Sequence, residues 1–378
     1  MYRTHVKITH LKIQRVVTKH LVFELDDCFW NSQQRWAKKN IVLVFLETDS
    51  GLVGIGEGWT GGGSPEALIR TIEDDLAPRL IGKDPRYHIR IFADVWKTTS
   101  LSARRGIVSA AISAVDMALW DLIGKAFQTP VYQLLGVFSK KVPCYASAGL
   151  YGRGKDQNAL ADEMRGYLNL GFSNVKMKVG GVSLEQDLER VKAVREAIGD
   201  SSRLMVDANY TLNVPQSLKM AKAFEPHDIY WLEAPVSPDD LSGQAKVNAQ
   251  SPIPICGNET ETGVDRFREL ITHRAVEFVQ FDIAACGGLS EGRRIADLAA
   301  AFHLPCTLHA SSTGILLAAT LHLAASLSNL DSVEFHMFHQ WLFNHCPDNS
   351  FNVEIGGWVR PPEGPGFGLD ITLEQFDK

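Results

Sequence analysis

The segment that decides the fold covers residues 174–179 and reads Asn-Val-Lys-Met-Lys-Val. It is a short β-rich run with helical stretches on either side. Runs of the same kind recur along the second part of the chain, which is the pattern of parallel βαβ units. The predicted strands cover residues 142–147, 174–179, 203–209, 229–235, 253–259, 278–286, 305–311 and 332–336. Eight such strands predict a closed barrel.

An ionisable side chain lies toward the carboxyl end of seven of these predicted strands. Neighbouring members of the series are 23 to 29 residues apart, which is one βα unit each. The strand C-terminal ends of a closed barrel share one face, so these groups should converge on one pocket. Unpartnered buried charges are costly, and their convergence therefore indicates function. The series comprises Lys178, Asp207, Glu233, Glu259, Asp282, His309 and Glu334.

Asp207, Glu233 and Glu259 end three consecutive predicted strands. Three carboxylates repel one another unless a cation lies between them, and an all-carboxylate set selects a hard ion such as Mg²⁺. The alternative is that all three form salt bridges with lysines on barrel helices. Glu261 lies on the same strand face as Glu259 and stays open as a ligand in its place.

Lys176 and Lys178 point the same way from one strand, so each ammonium group feels the charge of the other. A neighbouring ammonium and a nearby Mg²⁺ both disfavour protonation, and one lysine should have its pKa lowered from ~10.4 toward the working pH. Lys178 lies further along the strand and is predicted to be the general base. An isolated Lys-x-Lys pair is usually a solvated surface feature, and only its place in the series favours catalysis.

Asp282 and His309 end neighbouring predicted strands. A carboxylate beside a histidine fixes the imidazole tautomer and raises its basicity, so the two are predicted to form a dyad. The second and seventh strands lie on opposite sides of a barrel mouth. Lys178 and His309 should therefore flank a substrate from opposite faces as paired acid and base groups.

Composition places the 378 residues among ordinary globular proteins, with 45% hydrophobic and 22% charged residues. A formal net charge of −6 argues against nucleic-acid or membrane binding, so the expected partner is a small molecule. Without a secretory signal, or an apolar run near the ~18 residues that span a bilayer, a cytoplasmic location is expected.

Six scattered cysteines are interpreted as buried small hydrophobes: Cys28, Cys144, Cys256, Cys286, Cys306 and Cys346.

Two other sequence patterns give only weak support for a binding site. Gly61-Gly62-Gly63 lacks the Gly-Lys-Ser/Thr of a phosphate loop and is interpreted as a flexible loop. A second group, near the C-terminus, has zinc-ligand residue types but irregular spacing and aromatic surroundings, so packing or surface roles are preferred. Its members are His336, His339, His345 and Cys346.

The strand-end motifs resemble those of the enolase superfamily, and specifically of its mandelate racemase subgroup. The resemblance covers nearly the whole chain. Asp282 stands on the sixth strand where muconate-lactonising relatives have a lysine, which favours the mandelate racemase type. The motifs are Val175-Lys176-Met177-Lys178-Val179, Val206-Asp207-Ala208-Asn209, Trp231-Leu232-Glu233-Ala234-Pro235, Gly257-Asn258-Glu259, Gly287-Gly288 and Leu308-His309-Ala310, with Gly54-Ile55-Gly56-Glu57, residues 118–125 and Leu134-Leu135-Gly136 in the opening block.

This resemblance implies a fold and a cofactor. The fold is a (β/α)₇β barrel, a modified TIM barrel, over residues 137–339. An α+β capping domain is formed by residues 1–136 and completed by about 340–378. The opening block supports this with predicted strands at 11–17, 41–48 and 52–58 and predicted helices at 65–76, 87–97 and 107–124. One Mg²⁺ per subunit is implied, on the three carboxylates named above, as is a homo-oligomer.

The resemblance also assigns roles to residues. Lys178 and the His309–Asp282 dyad match the two acid/base catalysts of the family. Lys176 accompanies Lys178 in the catalytic pair. Glu334 matches a carboxyl group that hydrogen-bonds the substrate carboxylate. The residues implied in substrate binding are Lys176, Asn209 and Glu334.

The expected reaction removes the proton alpha to a carboxylate and passes through an ene-diolate that Mg²⁺ stabilises. If the substrate bears a β-hydroxyl, His309 protonates it and water leaves, which converts an acid sugar to a 2-keto-3-deoxy acid; this is the expected activity. If it does not, the same pair acts as a racemase or epimerase. A non-catalytic ligand-binding relative is the alternative from another class, and the presence of both acid/base groups counts against it.

Substrate choice is expected to lie in two cap loops over the barrel mouth, at residues 24–36 and 59–65. Polar side chains in the first loop suit a polyol, whereas its aromatic side chains suit an apolar group, and the sequence leaves both open. The polar residues are Asp26, Asp27, Asn31, Gln33, Gln34 and Arg35, and the aromatic residues are Phe29, Trp30 and Trp36.

Overall fold

The computed structural model describes residues 11–103, 105–337 and 351–376, apart from the side chains of residues 26–28. Its strands form one small antiparallel sheet and one large, mainly parallel sheet. The strands are β1 (Ile13–Trp30), β2 (Arg35–Thr48), β3 (Val53–Gly58), β4 (Val142–Ser147), β5 (Tyr151–Gly152), β6 (Asn174–Lys178), β7 (Arg203–Asp207), β8 (Ile229–Glu233), β9 (Ile255–Gly257), β10 (Phe278–Asp282), β11 (Cys306–His309), β12 (Leu330–His336) and β13 (Trp358–Val359).

The helices lie on the outside of the barrel and against the small sheet. A π-helical turn, Thr71–Leu76, joins the first two helices, and short 3₁₀ turns occur at Pro85–Tyr87, Glu225–His227 and Leu373–Phe376. The α-helices are α1 (Pro65–Arg70), α2 (Ala77–Leu80), α3 (His88–Thr99), α4 (Ile107–Ala126), α5 (Val131–Leu135), α6 (Gln157–Asn169), α7 (Leu184–Ile198), α8 (Val214–Phe224), α9 (Leu241–Gln250), α10 (Val264–Thr272), α11 (Gly288–Ala301) and α12 (Gly314–Ala324).

The large sheet is the predicted barrel. Its parallel strands run in the order β4-β6-β7-β8-β9-β10-β11-β12, and β12 pairs with β4 to close the cylinder. The helices α6 to α12 connect successive strands, so the (β/α)₇β architecture is confirmed. Two of these helices begin at capping boxes, with Ser183 before α7 and Asn213 before α8. Antiparallel β13, from the C-terminal tail, adds to β4.

The small sheet packs on α4 and forms the cap. Gly54 and Gly56 on β3 permit this contact, because a Cβ at either position would lie 2.2 Å and 2.0 Å from the carbonyl oxygens of Ala118 and Ala114. Asp121, buried in the same helix, accepts hydrogen bonds from the backbone N–H groups of Ile55 and Phe367. The helix therefore ties β3 and the C-terminal tail together.

The α4 helix corrects one sequence expectation. Alone among the described helices, it has the length and apolar composition to cross a membrane, with a mean hydropathy of 1.6 over a window that is 89% buried. Its apolar surface is covered by the cap sheet and by α11. It is therefore the core helix of the cap, and the sequence expectation overlooked how apolar this segment is.

The predicted cap loop at residues 24–36 is also corrected, because β1 and β2 extend through most of it. They form a long hairpin whose turn is stabilised by Asn31, which accepts hydrogen bonds from the backbone N–H groups of Gln33 and Gln34 at 2.9 and 2.8 Å. The side chains of Asp26 and Asp27 lie outside the described part. The turn still reaches the barrel mouth.

Four of the cysteines, Cys144, Cys256, Cys286 and Cys306, are buried free thiols, as predicted. The Cys28 side chain and all of Cys346 lie outside the described residues, as do His339 and His345.

Candidate active site

A cavity of about 530 Å³ opens at the C-terminal ends of the barrel strands, under the cap. Its floor includes four of the predicted site residues, Lys178, Asn209, Glu259 and His309. The cap contributes the hairpin turn and the segment after β3. The cap residues are Asn31, Gln33, Gln34, Trp36, Lys38, Lys39, Asn40, Ile41, Gly58, Trp59, Thr60, Gly61, Gly62 and Arg105.

Parallel register places the predicted groups side by side. Lys178 on β6 is paired with Asp207 on β7, which is paired in turn with Glu233 on β8. On the other part of the barrel, Asp282 on β10 is paired with His309 on β11. Side chains that are far apart in the sequence therefore meet because each lies in the same layer of the cylinder.

The lysines neutralise the carboxylates beneath the cavity. Lys178 forms an ion pair and hydrogen bond with Asp207, and both are buried. The Lys176 ammonium lies 2.5 Å from Glu233 Oε1 and 3.3 Å from Glu334 Oε1. Although burial disfavours both ammonium groups, these carboxylates outweigh it.

The protein groups alone do not lower the pKa of either lysine, and the expected lowering, which includes a nearby Mg²⁺, stays a prediction. Burial is the largest single effect on Lys178 and lowers its pKa, but the combined attraction of Asp207, Glu334 and Glu233 outweighs burial and the repulsion from Lys176, so the pKa is raised. The pKa of Lys176 is likewise raised. The sequence prediction counted the neighbouring ammonium and Mg²⁺, but not the carboxylates that pair directly with the lysines.

Within the residues that the structure describes, no group of three His, Cys, Asp or Glu side chains surrounds a point in the way that a bound metal requires. The lysine ammonium groups neutralise Asp207 and Glu233 instead. The donor chemistry nevertheless fits a hard divalent cation, because Asp207, Glu233 and Glu259 are buried oxygen donors at the ends of adjacent strands. Burial raises the pKa of Glu259, so a positive charge beside it would stabilise its ionised form.

Asp282 and His309 form the predicted contact. His309 Nδ1 lies 2.6 Å from Asp282 Oδ2, and Nε2 lies 3.4 Å from Glu334 Oε2. Burial disfavours the imidazolium, but the two carboxylates outweigh burial and raise the pKa of His309 to about 9. His309 is therefore held protonated at neutral pH, which is the state that a general acid requires.

The remaining predicted residues lie in or next to this layer. Glu334 lies between Lys176 and His309, and these cations hold its pKa well below its usual range despite burial. Asn209 donates from its backbone N–H to Asp207 Oδ1 at 2.8 Å and from its side chain to Asp207 Oδ2 at 3.2 Å, so it orients that carboxylate. Glu261, the alternative ligand, instead pairs with arginines.

Among the cavity-lining side chains that sequence reasoning missed, three carry groups that can bind or orient a ligand. Tyr210 donates a hydrogen bond of 2.5 Å to Glu259 Oε2, and its position three residues after Asp207, the last residue of β7, was the available signal. His336, interpreted as a packing or surface residue, is buried at the end of β12 and faces the cavity. Lys39 reaches the cavity from the cap, which no pattern within the sequence indicates.

The modified barrel, its α+β cap, and the lysine and histidine that line one cavity from separate strands define the class of enolase-like capped barrels. Comparisons with family models agree. Residues 159–375 match the family described as enolase C-terminal domain-like. Residues 23–136 match the N-terminal domain of mandelate racemase and muconate lactonizing enzyme.

Comparisons with individual proteins also indicate an enolase-like protein. The chain is 37% identical to an arabinonate dehydratase of Saccharolobus solfataricus, over 89% of this chain and 90% of that protein. It is 33% identical to a D-galactarolactone cycloisomerase of Agrobacterium fabrum, over 96% and 97% of the two chains. The crystal structure of a racemase from Streptomyces coelicolor with bound magnesium matches with a TM-score of 0.86, at 30% identity over 96% and 98%. The chain therefore belongs to the enolase superfamily, in its mandelate racemase subgroup.

Proposed function

We propose that this protein dehydrates an acid sugar to a 2-keto-3-deoxy acid after removing the proton alpha to the carboxylate. One observation carries the proposal: Lys178 and His309 line a single cavity from β6 and β11, which are not adjacent, above a layer of buried carboxylates. A relative that is named arabinonate dehydratase supports the reaction type.

Lys178 is the proposed base. To accept a proton it must first lose one, and in the structure the Asp207 carboxylate opposes that loss. If Asp207 held a cation, its charge would no longer favour the Lys178 ammonium, while Lys176 would continue to repel it. The neutral amine is then available to break the alpha C–H bond of the substrate.

His309 is the proposed acid. It donates its proton to the hydroxyl group on the β-carbon, the C–O bond breaks and water leaves. Asp282 holds the ring by its Nδ1 atom, so Nε2 is the nitrogen that donates. The enol that remains takes up a proton at the β-carbon and becomes the 2-keto-3-deoxy acid.

Asp207, Glu233 and Glu259 are the proposed ligands of one Mg²⁺ per subunit. When bound, the ion stabilises the negative charge that develops on the substrate carboxylate. Lys176 and Asn209 would position the carboxylates around it, since they contact Glu233 and Asp207 respectively. Glu334, buried between Lys176 and His309, is proposed to position these two cations.

Isomerisation is the second candidate. Related proteins are named as a cycloisomerase and a racemase. The same geometry permits it, because His309 can return a proton to the alpha carbon from the face opposite Lys178. A substrate without a leaving group on the β-carbon would follow this course.

A library of acid sugars incubated with the protein and Mg²⁺ in D₂O tests the proposal. We expect one or a few acids to give a 2-keto-3-deoxy product, detected by NMR. Deuterium at the alpha carbon with no loss of water would instead support the isomerase. Neither reaction with any acid would contradict both candidates and favour a binding protein.

The proposed setting is a cytoplasmic homo-oligomer that acts on a small molecule and binds neither nucleic acid nor membrane. We also propose domain boundaries: residues 1–136, completed by about 340–378, form the cap, and residues 137–339 form the barrel. Limited proteolysis and light scattering test the boundaries and the oligomeric state.

A further inference from the structure

Lys39 is a cap residue whose ammonium group lines the active-site cavity without an ion-pair partner among the described residues. It lies on β2 and lines the same cavity as Lys178 and His309. Its ammonium nitrogen is 4.8 Å from the ring centroid of Trp36, which covers one side of the charge. Glu57 attracts it from a distance, but Glu57 accepts a hydrogen bond from Thr313 and forms no ion pair with Lys39.

Of the other cationic side chains that line this cavity, Lys38 is exposed to solvent, whereas Arg105, Lys178 and His309 are paired with protein carboxylates. Arg105 lies 2.6 Å from Asp239 and 3.5 Å from Glu261. Lys178 is paired with Asp207, and His309 with Asp282. Among the described residues, no carboxylate lies within ion-pair distance of the Lys39 ammonium.

The position of Lys39 is unfavourable for a charge that has no partner. Burial, together with the nearby ammonium of Lys178, lowers the pKa of Lys39 to about 8. Both ammonium groups line the cavity, and an anion bound beside Lys39 would offset the repulsion between them. The cavity therefore contains a cation that an anionic ligand would neutralise.

We propose that Lys39 binds a second carboxylate of the substrate, so that the preferred substrates are dicarboxylic acid sugars. This inference rests on the proposed function. The first carboxylate belongs at the carboxylate layer of the barrel, because the alpha carbon must lie between Lys178 and His309. The rest of the sugar then extends toward the cap, where β2 presents Lys39.

A monocarboxylic acid sugar would satisfy this site poorly. It ends in a hydroxymethyl group, which can hydrogen-bond to an ammonium but cannot neutralise it. The charge of Lys39 would then lack an anionic partner, and sites built for a polar group discriminate strongly against ligands that lack it. The difference between the two substrate types should therefore be large.

Matched acids that differ only at the terminal carbon test the proposal. Galactarate against galactonate, glucarate against gluconate and xylarate against xylonate are assayed with Mg²⁺. In the pair whose sugar configuration the protein accepts, we expect kcat/KM for the diacid to exceed that for the matching monoacid by at least about 10-fold. Preference for the monoacid would overturn the proposal.

Variants at Lys39 test whether its charge causes the preference for the diacid. Lys39→Met should lower kcat/KM for the diacid by about 100-fold, mainly through KM, and change the monoacid by less than about 3-fold. Lys39→Arg keeps the charge and should retain the preference. Lys83→Met, which removes an exposed cap lysine, is the matched control and should change neither. Equal losses on both acids in a folded Lys39→Met variant would contradict the proposal.

A binding measurement separates this inference from the proposed function. Lys178→Ala, with and without Lys39→Met, is titrated calorimetrically with each acid pair in Mg²⁺ buffer. Tighter binding of a diacid, lost in the double variant, supports the carboxylate site even if no acid is turned over. Failure of every diacid to bind more tightly than its partner overturns the site, whatever the reaction proves to be.

Discussion

His309 is held between two carboxylates, and its charge depends on them. Asp282 contacts Nδ1 and Glu334 lies near Nε2, which together keep the ring protonated although it is buried. Such a partner commonly contributes 10- to 100-fold to activity at related sites, about what one lost charge–charge contact costs. These carboxylates therefore set the protonation state of the His309 imidazole.

We predict that Asp282→Asn lowers the pKa of His309 below about 9 and lowers turnover by about 10- to 100-fold. The amide removes the negative charge but keeps the shape of the side chain. NMR titration of the ring measures the pKa, and Asp297→Asn, an exposed site on α11, is the control. An unchanged His309 titration in Asp282→Asn would count against the dyad.

His322 on α12 gives a second prediction, for stability against pH. Its Nδ1 accepts a hydrogen bond of 3.0 Å from the backbone N–H of Tyr132, and burial lowers its pKa from 6.5 to about 3. As the pH falls below 6.5, the unfolded chain binds a proton that the folded protein does not. The free energy of unfolding should therefore fall by up to about 1.4 kcal/mol per pH unit from this group, down to about pH 3.

Urea unfolding between pH 6.5 and pH 4.5 measures this slope. In His322→Gln we expect the slope to be smaller by about one proton. His273→Gln, at an exposed position, should leave the slope as it is in the unaltered protein. Identical slopes in all three proteins would show that His322 does not titrate differently on folding.

At the scale of single residues, the sequence identified the groups and the Asp282–His309 contact, but not the ion pairs of the two lysines. The strand-end pattern located Lys178 and Asp207, and their register confirms that they are neighbours. The ion pairs that raise the pKa of both lysines were not predicted, because they depend on which carboxylates lie within reach, and that distance is not a property of either segment alone. Lys39 was missed because only the folded cap brings β2 over the barrel.

At the scale of elements, β3 and α4 are in unusually close contact. A Cβ at Gly56 would lie 2.0 Å from the carbonyl oxygen of Ala114 and 2.9 Å from the backbone nitrogen of Ala118. These are backbone atoms of a helix, which cannot rotate away as a side chain can. The sheet and the helix would have to separate.

We predict that Gly56→Ala lowers the free energy of unfolding by about 1–3 kcal/mol or more, as overpacking does. Gly166→Ala on α6 is the matched control, because nothing lies within 4 Å of a Cβ there. In a helix interior that change should raise stability by about 0.5–1 kcal/mol. Denaturant midpoints of the two variants should therefore move in opposite directions, and a shared direction would refute the packing argument.

Most elements were predictable, with one instructive exception. The barrel strands follow from short apolar runs at βα intervals, because a strand that is buried on both faces must be apolar. The hairpin of β1 and β2 was interpreted as a loop beyond residue 24, because its distal half is rich in polar and charged side chains. Pairing of β1 with β2 and with β5 stabilises that half.

At the scale of the whole molecule, the cap and barrel are joined by side chains. Thr313, in the turn before α12, donates to Glu57 on β3, and Asp116 on α4 accepts hydrogen bonds from the side chain and backbone of Ser290 on α11. These contacts hold the cap sheet above the barrel mouth. The position of Lys39 over the cavity is therefore set by the fold as a whole.

We predict that Mg²⁺ stabilises the folded protein, because an ion that binds only the folded state shifts unfolding by mass action. At 100 times its dissociation constant, the free energy of unfolding should rise by about 2.7 kcal/mol. Calorimetry with Mg²⁺ or with EDTA measures the shift in Tm. Glu259→Gln should remove most of the shift, whereas Glu277→Gln on the barrel exterior should retain it.

The resemblance found in the sequence located the carboxylate layer and the acid/base pair, because those motifs repeat at strand ends. The cation position could not be derived in the same way. In the folded chain two lysines compete with a cation for the carboxylates, and the outcome depends on the balance of charges in the whole layer. Sequence motifs taken one at a time do not show how the charges of these lysines and carboxylates balance.

Exchange of the alpha proton of the identified substrate tests the opposed roles of Lys178 and His309 most directly. The reaction is followed by NMR in D₂O with Mg²⁺ for His309→Asn and Lys178→Ala. His309→Asn keeps the base, so we expect deuterium at the alpha carbon without loss of water, whereas Lys178→Ala should give neither exchange nor dehydration. Dehydration by Lys178→Ala at the rate of the unaltered protein would contradict the account.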